Sequence, residues 1–328
     1  VPASKNNFLD HFRWLRKACS ESGVEFLVVG GSMQALLRKD EFHCVLFPQF
    51  LAVVQGVSQY VATLTDEASH FAGWLPYRHR RWAESTDKLL FKQLAQRAGL
   101  AVPPWWALAD ADVPDVLVKR ARSSFGAQIK GPYRRSDECA IDIAQGEYYE
   151  RFIEGRLLKV WYFGDKPVVL ELDELPRLAC DGRVSVGEQF DRRARLIRRR
   201  TPEEQERLRH RLEPVLKYQG YELDAVPPRG TRLVLEFRYG SEFMRPIDRR
   251  VIDLQAAIGD RWEPLSKAGP HFASAINPIE RAGTVFTVDA VLDAQGEFWF
   301  LEMNSNPTVH PLVYPHLIQS SLPRSVLT

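Results

Sequence analysis

The apolar positions of this chain change period several times, and each change marks an element. Phe8, Phe12, Leu15 and Ala18 recur at helical spacing, which predicts a helix over 8–22. "VEFLVVGG" then predicts a buried strand ending in a glycine turn, where "GGS" reads as a plain turn or an anion cradle. A second helix is expected over 32–39, and "FHCVLFP" reads as a strand stopped by Pro48. Thr86 or Asp87 can cap a helix whose apolar positions Leu89, Leu90, Leu94 and Ala98 share one side. Gly99 ends it, and Pro103 and Pro104 bar continuation.

Beyond these prolines the alternating period of strands dominates. A strand is expected over 116–119, leading into a polar loop with Ser123, Ser124 and Gly126. "GEYYERFIEG" predicts another strand, ending at Gly155, and "LLKVWYFGDKPVVLELDEL" a hairpin turning at Gly164 and Asp165. Thr201, Pro202 and Glu204 form the opening of a capping box, so a helix is expected over 202–217. The arginines between Arg192 and Arg200 just before it read as a solvated face or loop, with an acidic partner as the other possibility.

"TVFTVDAVLDAQGEFWFLEMNSNP" holds two alternating runs joined by a turn signal, and so predicts a β-hairpin. With Ala294 and Gln295 at its tip, Asp289 would face Phe300 and lie diagonal to Glu302. Asp289, Glu302 and Asn304 then share one face. Two carboxylates and an amide oxygen, with no basic residue close by in sequence, would repel one another unless a cation sits between them. Hard oxygen donors of this kind suit Mg²⁺ completed by nucleotide phosphates.

Composition excludes more than it selects. The 328 residues carry 45% apolar and 26% charged side chains with a net charge of +2, which makes no global case for nucleic acid or an anionic membrane. The four cysteines stand far apart without a CxxC pair, arguing against a zinc knuckle or disulfide scaffold and for a reducing, cytoplasmic location. No apolar run approaches a membrane span, and the first residues lack a signal pattern.

The hairpin is preceded by two lysines placed to hold phosphates. Lys88 in "TDKLLFKQL", Lys119 in "VLVKRARSSFG", Glu150 to Gly155 in "YERFIEG", and Asp289, Glu302 and Asn304 occur in an order that resembles the ATP-grasp superfamily over about residues 85–308. Within it, "LPRLACDGRVSVGEQF" and "GYELDAVPPRGTRLVL" look similar to the ATP-grasp part of cyanophycin synthetase and of bifunctional glutathione synthetases.

The resemblance implies an α/β (α+β) ATP-grasp fold. A small N-terminal α/β lobe would cover 1–84, a central ATP-binding subdomain 85–160, and a C-terminal subdomain with the metal site 161–328. It implies a carboxylate–amine ligase using ATP and one or two Mg²⁺ ions, with Mn²⁺ able to substitute. Adenine would lie against Glu150, Arg151, Phe152 and Ile153, and the phosphates against Lys88, Lys119, Ser123, Ser124 and Gly126. Substrates would be a small carboxylate and an amine, or a peptide, and a homodimer is compatible. A kinase and a non-catalytic nucleotide-binding module are the competing readings.

Two positions depart from the family pattern. Leu157 stands where some relatives hold ribose with a glutamate, and Thr287 where others carry an oxyanion-stabilising arginine. Arg238 is the first candidate to replace that arginine and Arg245 the second. His310 and His316 flank the metal strand but form no paired motif, so neither is assigned to catalysis.

Overall fold

The computed structural model describes residues 8–54, 57–123, 129–197, 201–238, 243, 249–257 and 260–322. Helix α1 (Phe8–Glu21) buries His11, Leu15, Ala18 and Cys19, as its periodicity requires. The expected helix over 32–39 does not form. Strand β1 (Glu25–Val28) turns back into β2 (Ala35–Lys39) and pairs antiparallel with it, Leu27 opposite Leu36. Alternation decides the matter: Ala35 and Leu37 are buried while Leu36 and Arg38 are exposed, a period of two. β1 is correspondingly an exposed edge and not the buried strand expected, with Leu27 63% exposed.

β3 (Phe42–Val54) runs through Pro48 instead of stopping there. Its pairing with β2 ends at Leu46 and its pairing with β4 (Val57–Val61) begins at Phe50. At Pro48 only β5 (Ala68–Leu75) lies alongside, next to a bulge, so the missing N–H is tolerated. The first lobe is therefore one helix with a five-stranded antiparallel sheet, not an alternating α/β unit. Its core continues into the C-terminal half: Leu15, Leu37, Phe71 and Trp74 pack with Trp161, Val285, Val313 and Tyr314.

Helix α2 (Lys88–Arg97) begins at Asp87, whose carboxylate accepts from the N–H groups of Leu89 and Leu90 at 3.0 and 3.3 Å. Its most buried face is Phe91, Lys92 and Ala95, not the predicted leucine stripe. Beside it stands a four-stranded sheet of β6 (Trp105–Trp106), β7 (Pro114–Arg120), β8 (Lys130–Arg135) and β9 (Glu147–Arg151), in the order β6-β9-β7-β8.

Strands β10 (Arg156–Phe163) and β11 (Lys166–Asp173) form the expected hairpin at Gly164, which has φ +62°. After them comes a small unit, with β12 (Arg177–Ala179), α3 (Val186–Ile197), α4 (Pro202–Tyr218) and β13 (Arg232–Val234) around its own apolar core. The capping box at Thr201 and Glu204 is present. Arg192, Arg193 and Arg195 belong to α3 and bond Glu188, the carbonyls of Arg177 and Phe243, and the carbonyl of Asp191 respectively. The end of the run, 198–200, lies outside the described residues.

The last sheet has the order β14-β11-β10-β15-β16, with β14 (Arg249–Asp253) at one edge and β15 (Val285–Leu292) and β16 (Phe298–Ser305) at the other. Helices α5 (Glu263–Ala273), α6 (Pro278–Arg281) and α7 (Tyr314–Ser321) complete the chain. α2 and α5 cover one face of this sheet, where Phe91 and Phe272 meet Val160, Tyr162, Phe286 and Phe300. Gly269 lets α5 sit on the β10–β11 turn, since a Cβ there would fall 1.9 Å from the Asp165 carbonyl oxygen. Gly269→Ala is expected to cost about 2–3 kcal/mol by overpacking, read as a lowered urea midpoint. An unchanged midpoint would show that the helix is not seated there.

Candidate functional site

The face of the last sheet opposite α5 carries a row of charges. Register places Glu171 on β11, Lys159 on β10, Asp289 on β15 and Glu302 on β16 directly opposite one another in turn. Opposed residues in antiparallel pairs project to the same side, about 5 Å apart. Lys159 donates to Asp289 Oδ1. Lys88, at the start of α2, brings Nζ to 2.9 Å from Glu302 Oε2, and also donates to the Ser123 carbonyl at 2.7 Å and hydroxyl at 3.2 Å. One ammonium therefore ties the loop after β7 to the carboxylate pair.

The hairpin differs from its expected register, and the difference builds the site. The Gly296 N–H donates to the Asp293 carbonyl at 3.2 Å, as the expected turn requires, but Asp293 also donates to the Glu297 carbonyl at 3.1 Å, and the ladder continues from there with Leu292 opposite Phe298. Phe300 then faces Ala290 while Glu302 faces Asp289, leaving Leu301 as a bulge. Strict alternation from Phe298 would send Phe298, Phe300, Glu302 and Asn304 to one side. With the extra residue, Phe298, Phe300 and Met303 enter the core, and Glu302 and Asn304 project beside Asp289. Asn304 Nδ2 lies 3.4 Å from Asp289 Oδ2.

The carboxylates are not without cations, contrary to what sequence proximity suggested: the partners come from α2 and β10. Burial raises the Asp289 carboxyl, Lys159 opposes this and Glu302 adds to it, so it is pushed up to about 6. Burial also works against ionisation of Glu302, but Lys88, together with Lys119 and Lys159, outweighs it and holds Glu302 at about 2. At 14% and 24% exposure, the two side chains remain within reach of a small ligand. Two carboxylates and one amide oxygen are hard donors that fit Mg²⁺ sharing its shell with phosphate. Among the described residues no three His, Cys, Asp or Glu side chains gather as a metal cluster.

Facing this row is a sealed cluster on β7, β9 and α2. Glu150, 1% exposed, accepts from Lys119 at 2.5 Å and pairs with Lys92 at 2.9 Å, while the Tyr148 hydroxyl reaches it at 3.3 Å. Burial disfavours ionised Glu150, yet Lys119 and Lys92 reverse the balance and hold its carboxyl below the ordinary range. Burial lowers the Lys92 ammonium, with Glu150 pulling the other way. With one anion and two cations, the surplus charge falls on Lys92. Of the residues expected at adenine, Arg151 pairs with Asp115 at 3.5 Å, and Phe152 packs edge-on against Tyr218 and Phe237. Ile153 is half-buried at the end of this segment.

The remaining candidates separate. Arg238 stands 2.5 Å from Glu236, which Arg211 also meets, so these three form an ion cluster in the α3–α4 unit. Ser124, Gly126 and Arg245 lie outside the described residues. Leu157 is buried opposite Asp173, and Thr287 is buried opposite Asn304. His310 is buried, accepts the Leu312 N–H through Nδ1 at 3.2 Å and turns Nε2 to within 3.6 Å of Glu171. Asn306 bonds Arg80 twice, accepting its N–H at 3.0 Å and donating to its carbonyl at 2.6 Å, which fixes where β16 leaves the site.

Lys92, Lys159 and Glu171 were missed by sequence reasoning. The available signal was a polar residue inside an apolar stretch: Lys159 in "LLKVW", Glu171 in "VLELD" and Lys92 in "LLFKQL".

No protein-family model and no curated protein matches the chain. Among solved structures, it is similar to a bifunctional glutathione synthetase from Pasteurella multocida at 13% identity and TM-score 0.42, over 95% of this chain and 43% of that one. It is also similar to VanG D-Ala:D-Ser ligase from Enterococcus faecalis, at 14% identity and TM-score 0.40, over 73% and 62%. The ATP-grasp ligase PsnB, complexed with a phosphomimetic variant of minimal precursor, Mg and ADP, matches at 14% identity and TM-score 0.37, over 73% and 58%. The chain thus spans less than two thirds of the length of each of these proteins.

Proposed function

We propose that the chain is an ATP-dependent carboxylate–amine ligase that forms an amide or peptide bond through an acyl phosphate, releasing ADP and phosphate. The observation that carries this reading is Lys88, which joins Ser123 to Glu302, while Glu302 stands opposite Asp289 and next to Asn304. A phosphate chain bound there would meet a cation, a polar loop and metal-type oxygens together.

Asp289, Glu302 and the Asn304 amide would hold Mg²⁺, which when bound draws negative charge from the phosphoryl oxygens. Lys88 neutralises the phosphates from the α2 side. Lys119, held in place by Glu150, does so from the β7 side. Ile153 and the neighbouring backbone would receive the base between the two sheets. The chain positions the reactants and compensates charge, so no side-chain nucleophile is needed. A substrate carboxylate oxygen attacks the γ-phosphorus, ADP leaves with the bonding pair, and an amine then displaces phosphate from the acyl carbon.

The test is incubation with Mg·ATP and a panel of amino acids, dipeptides and hydroxy acids, read by ADP release and product mass. Amide product with equimolar ADP is expected. A phosphorylated product without amide, or release of AMP, would overturn the ligase reading.

A further inference from the structure

Four residues after Lys88, and so on the same side of α2, stands a second lysine in a different setting. Lys88 meets Glu302 in the open part of the site, whereas Lys92 is fully buried and turns into the cluster on β7 and β9. Its Nζ lies 2.9 Å from Glu150 Oε2, 3.4 Å from the Pro103 carbonyl and 5.6 Å from the centre of the Trp105 ring. Trp105 on β6 and Leu117 on β7 stand opposite Glu150, so their side chains flank the carboxylate from both neighbouring strands. Burying an ammonium is costly, and an apolar side chain of similar volume packs such a place without that cost. Packing alone does not call for a lysine here.

The charges of the cluster do not cancel. Glu150 divides its oxygens, giving Oε1 to Lys119 at 2.5 Å and Oε2 to Lys92, with the Tyr148 hydroxyl also on Oε2 at 3.3 Å. One carboxylate thus meets two ammonium groups, and one positive charge is in excess. Burial lowers the Lys92 ammonium, Glu150 opposes this, Lys119 adds to it, and Glu302 opposes it through space. Glu302 itself is in contact with Lys88. Of the three members, Lys119 is the one nearest the surface, with 7% of its side chain exposed against 1% for Glu150 and none for Lys92.

We propose that Lys92 is a positioning residue for the nucleotide phosphates: by engaging Glu150 it leaves the charge of Lys119 for an incoming phosphate oxygen. This rests on the role given to Lys119 in the ligase reading and deepens it. With Lys92 in place, Glu150 holds Lys119 without cancelling the charge of the cluster. Without Lys92, Lys119 and Glu150 form a neutral pair, and a phosphate meets no net cation from the β7 side. Lys92 acts through Glu150, at one remove from the ligand.

Binding of ADP and of adenosine to the full chain, both without metal, separates charge from packing. Adenosine carries the base and ribose but no phosphate, so it reports whether the rest of the nucleotide site is intact. Two variants are compared with the wild type. Lys92→Met brings the cluster to neutrality, and Lys92→Met/Glu150→Gln returns it to a single positive charge, on Lys119.

For Lys92→Met the dissociation constant of ADP is expected to rise about tenfold or more, while that of adenosine changes by less than about threefold. The double variant is expected to recover most of the ADP affinity, which would not happen if Lys92 only propped Glu150 in place. Urea unfolding checks that each variant is folded, and if the double variant is not, the ratio of ADP to adenosine binding in Lys92→Met decides. Unchanged ADP binding in Lys92→Met, or an equal loss of ADP and adenosine, would overturn the proposal. A folded double variant no tighter for ADP than Lys92→Met would overturn it too. These outcomes leave the ligase reading standing, because the wild type still prefers ADP to adenosine. A wild type that binds ADP no more tightly than adenosine would remove the phosphate site itself, and the role of Lys92 with it.

Discussion

Glu302→Gln is expected to remove the Mg²⁺ dependence of nucleotide binding and to lower turnover by about a hundredfold or more. Glu302 touches both halves of the proposed site, standing opposite Asp289 and 2.9 Å from Lys88. The amide keeps the shape and removes the charge. It leaves Lys88 free to meet phosphate, so ADP binding without metal should persist or tighten, while the gain on adding Mg²⁺ disappears. Calorimetry with ADP, with and without Mg²⁺, separates these effects. A variant that keeps the wild-type Mg²⁺ response would show that Asp289, Glu302 and Asn304 do not hold the ion.

The second large effect is on stability. Glu150→Gln is expected to destabilise the chain by about 3–5 kcal/mol, because Lys92 and Lys119 would be left buried with no anion between them. Lys92→Met is expected to cost far less, since it removes the ammonium that burial already depresses and keeps the Lys119–Glu150 pair. Denaturant unfolding of the two variants tests the difference, and equal losses would refute the charge surplus assigned to Lys92. The pH dependence has a definite sign. Glu150 is held below its unfolded pKa, so its contribution is complete above about pH 4.3 and is lost only as the pH falls through the lowered folded value.

The residues of the proposed site were singled out along the chain by type and order. Lys88, Lys119, Glu150, Asp289, Glu302 and Asn304 stand in an order that pointed to phosphates and a metal, and the structure brings Lys88, Glu302, Asp289 and Asn304 together. Lys119 joins Glu150 rather than any of these, while still lowering the Glu302 carboxyl through space. Local signals held where local physics decides: the Asp87 cap, the Thr201–Glu204 box and the Gly164 turn all satisfy backbone groups within a few residues. They failed at 32–39, where helical apolar spacing lost to pairing with β1 and β3, and at Pro48, where a gap between partner strands excused the missing donor.

What the sequence determined by itself is the kind of chemistry available, because residue type sets charge, donor hardness and cap, and order sets which pieces can be neighbours on a hairpin. The tertiary structure alone decided the phase and the partners. One extra residue at Leu301 turned Glu302 and Asn304 away from the phenylalanine core, and no count of apolar spacing reveals where a strand will bulge. Lys159 reaches Asp289 from a strand far away in the chain and Lys88 reaches Glu302 from α2, so carboxylates that looked unpaired in sequence are neutralised across the fold. Electrostatic energy depends on distance in space, and the chain fixes that distance only after its sheets have paired.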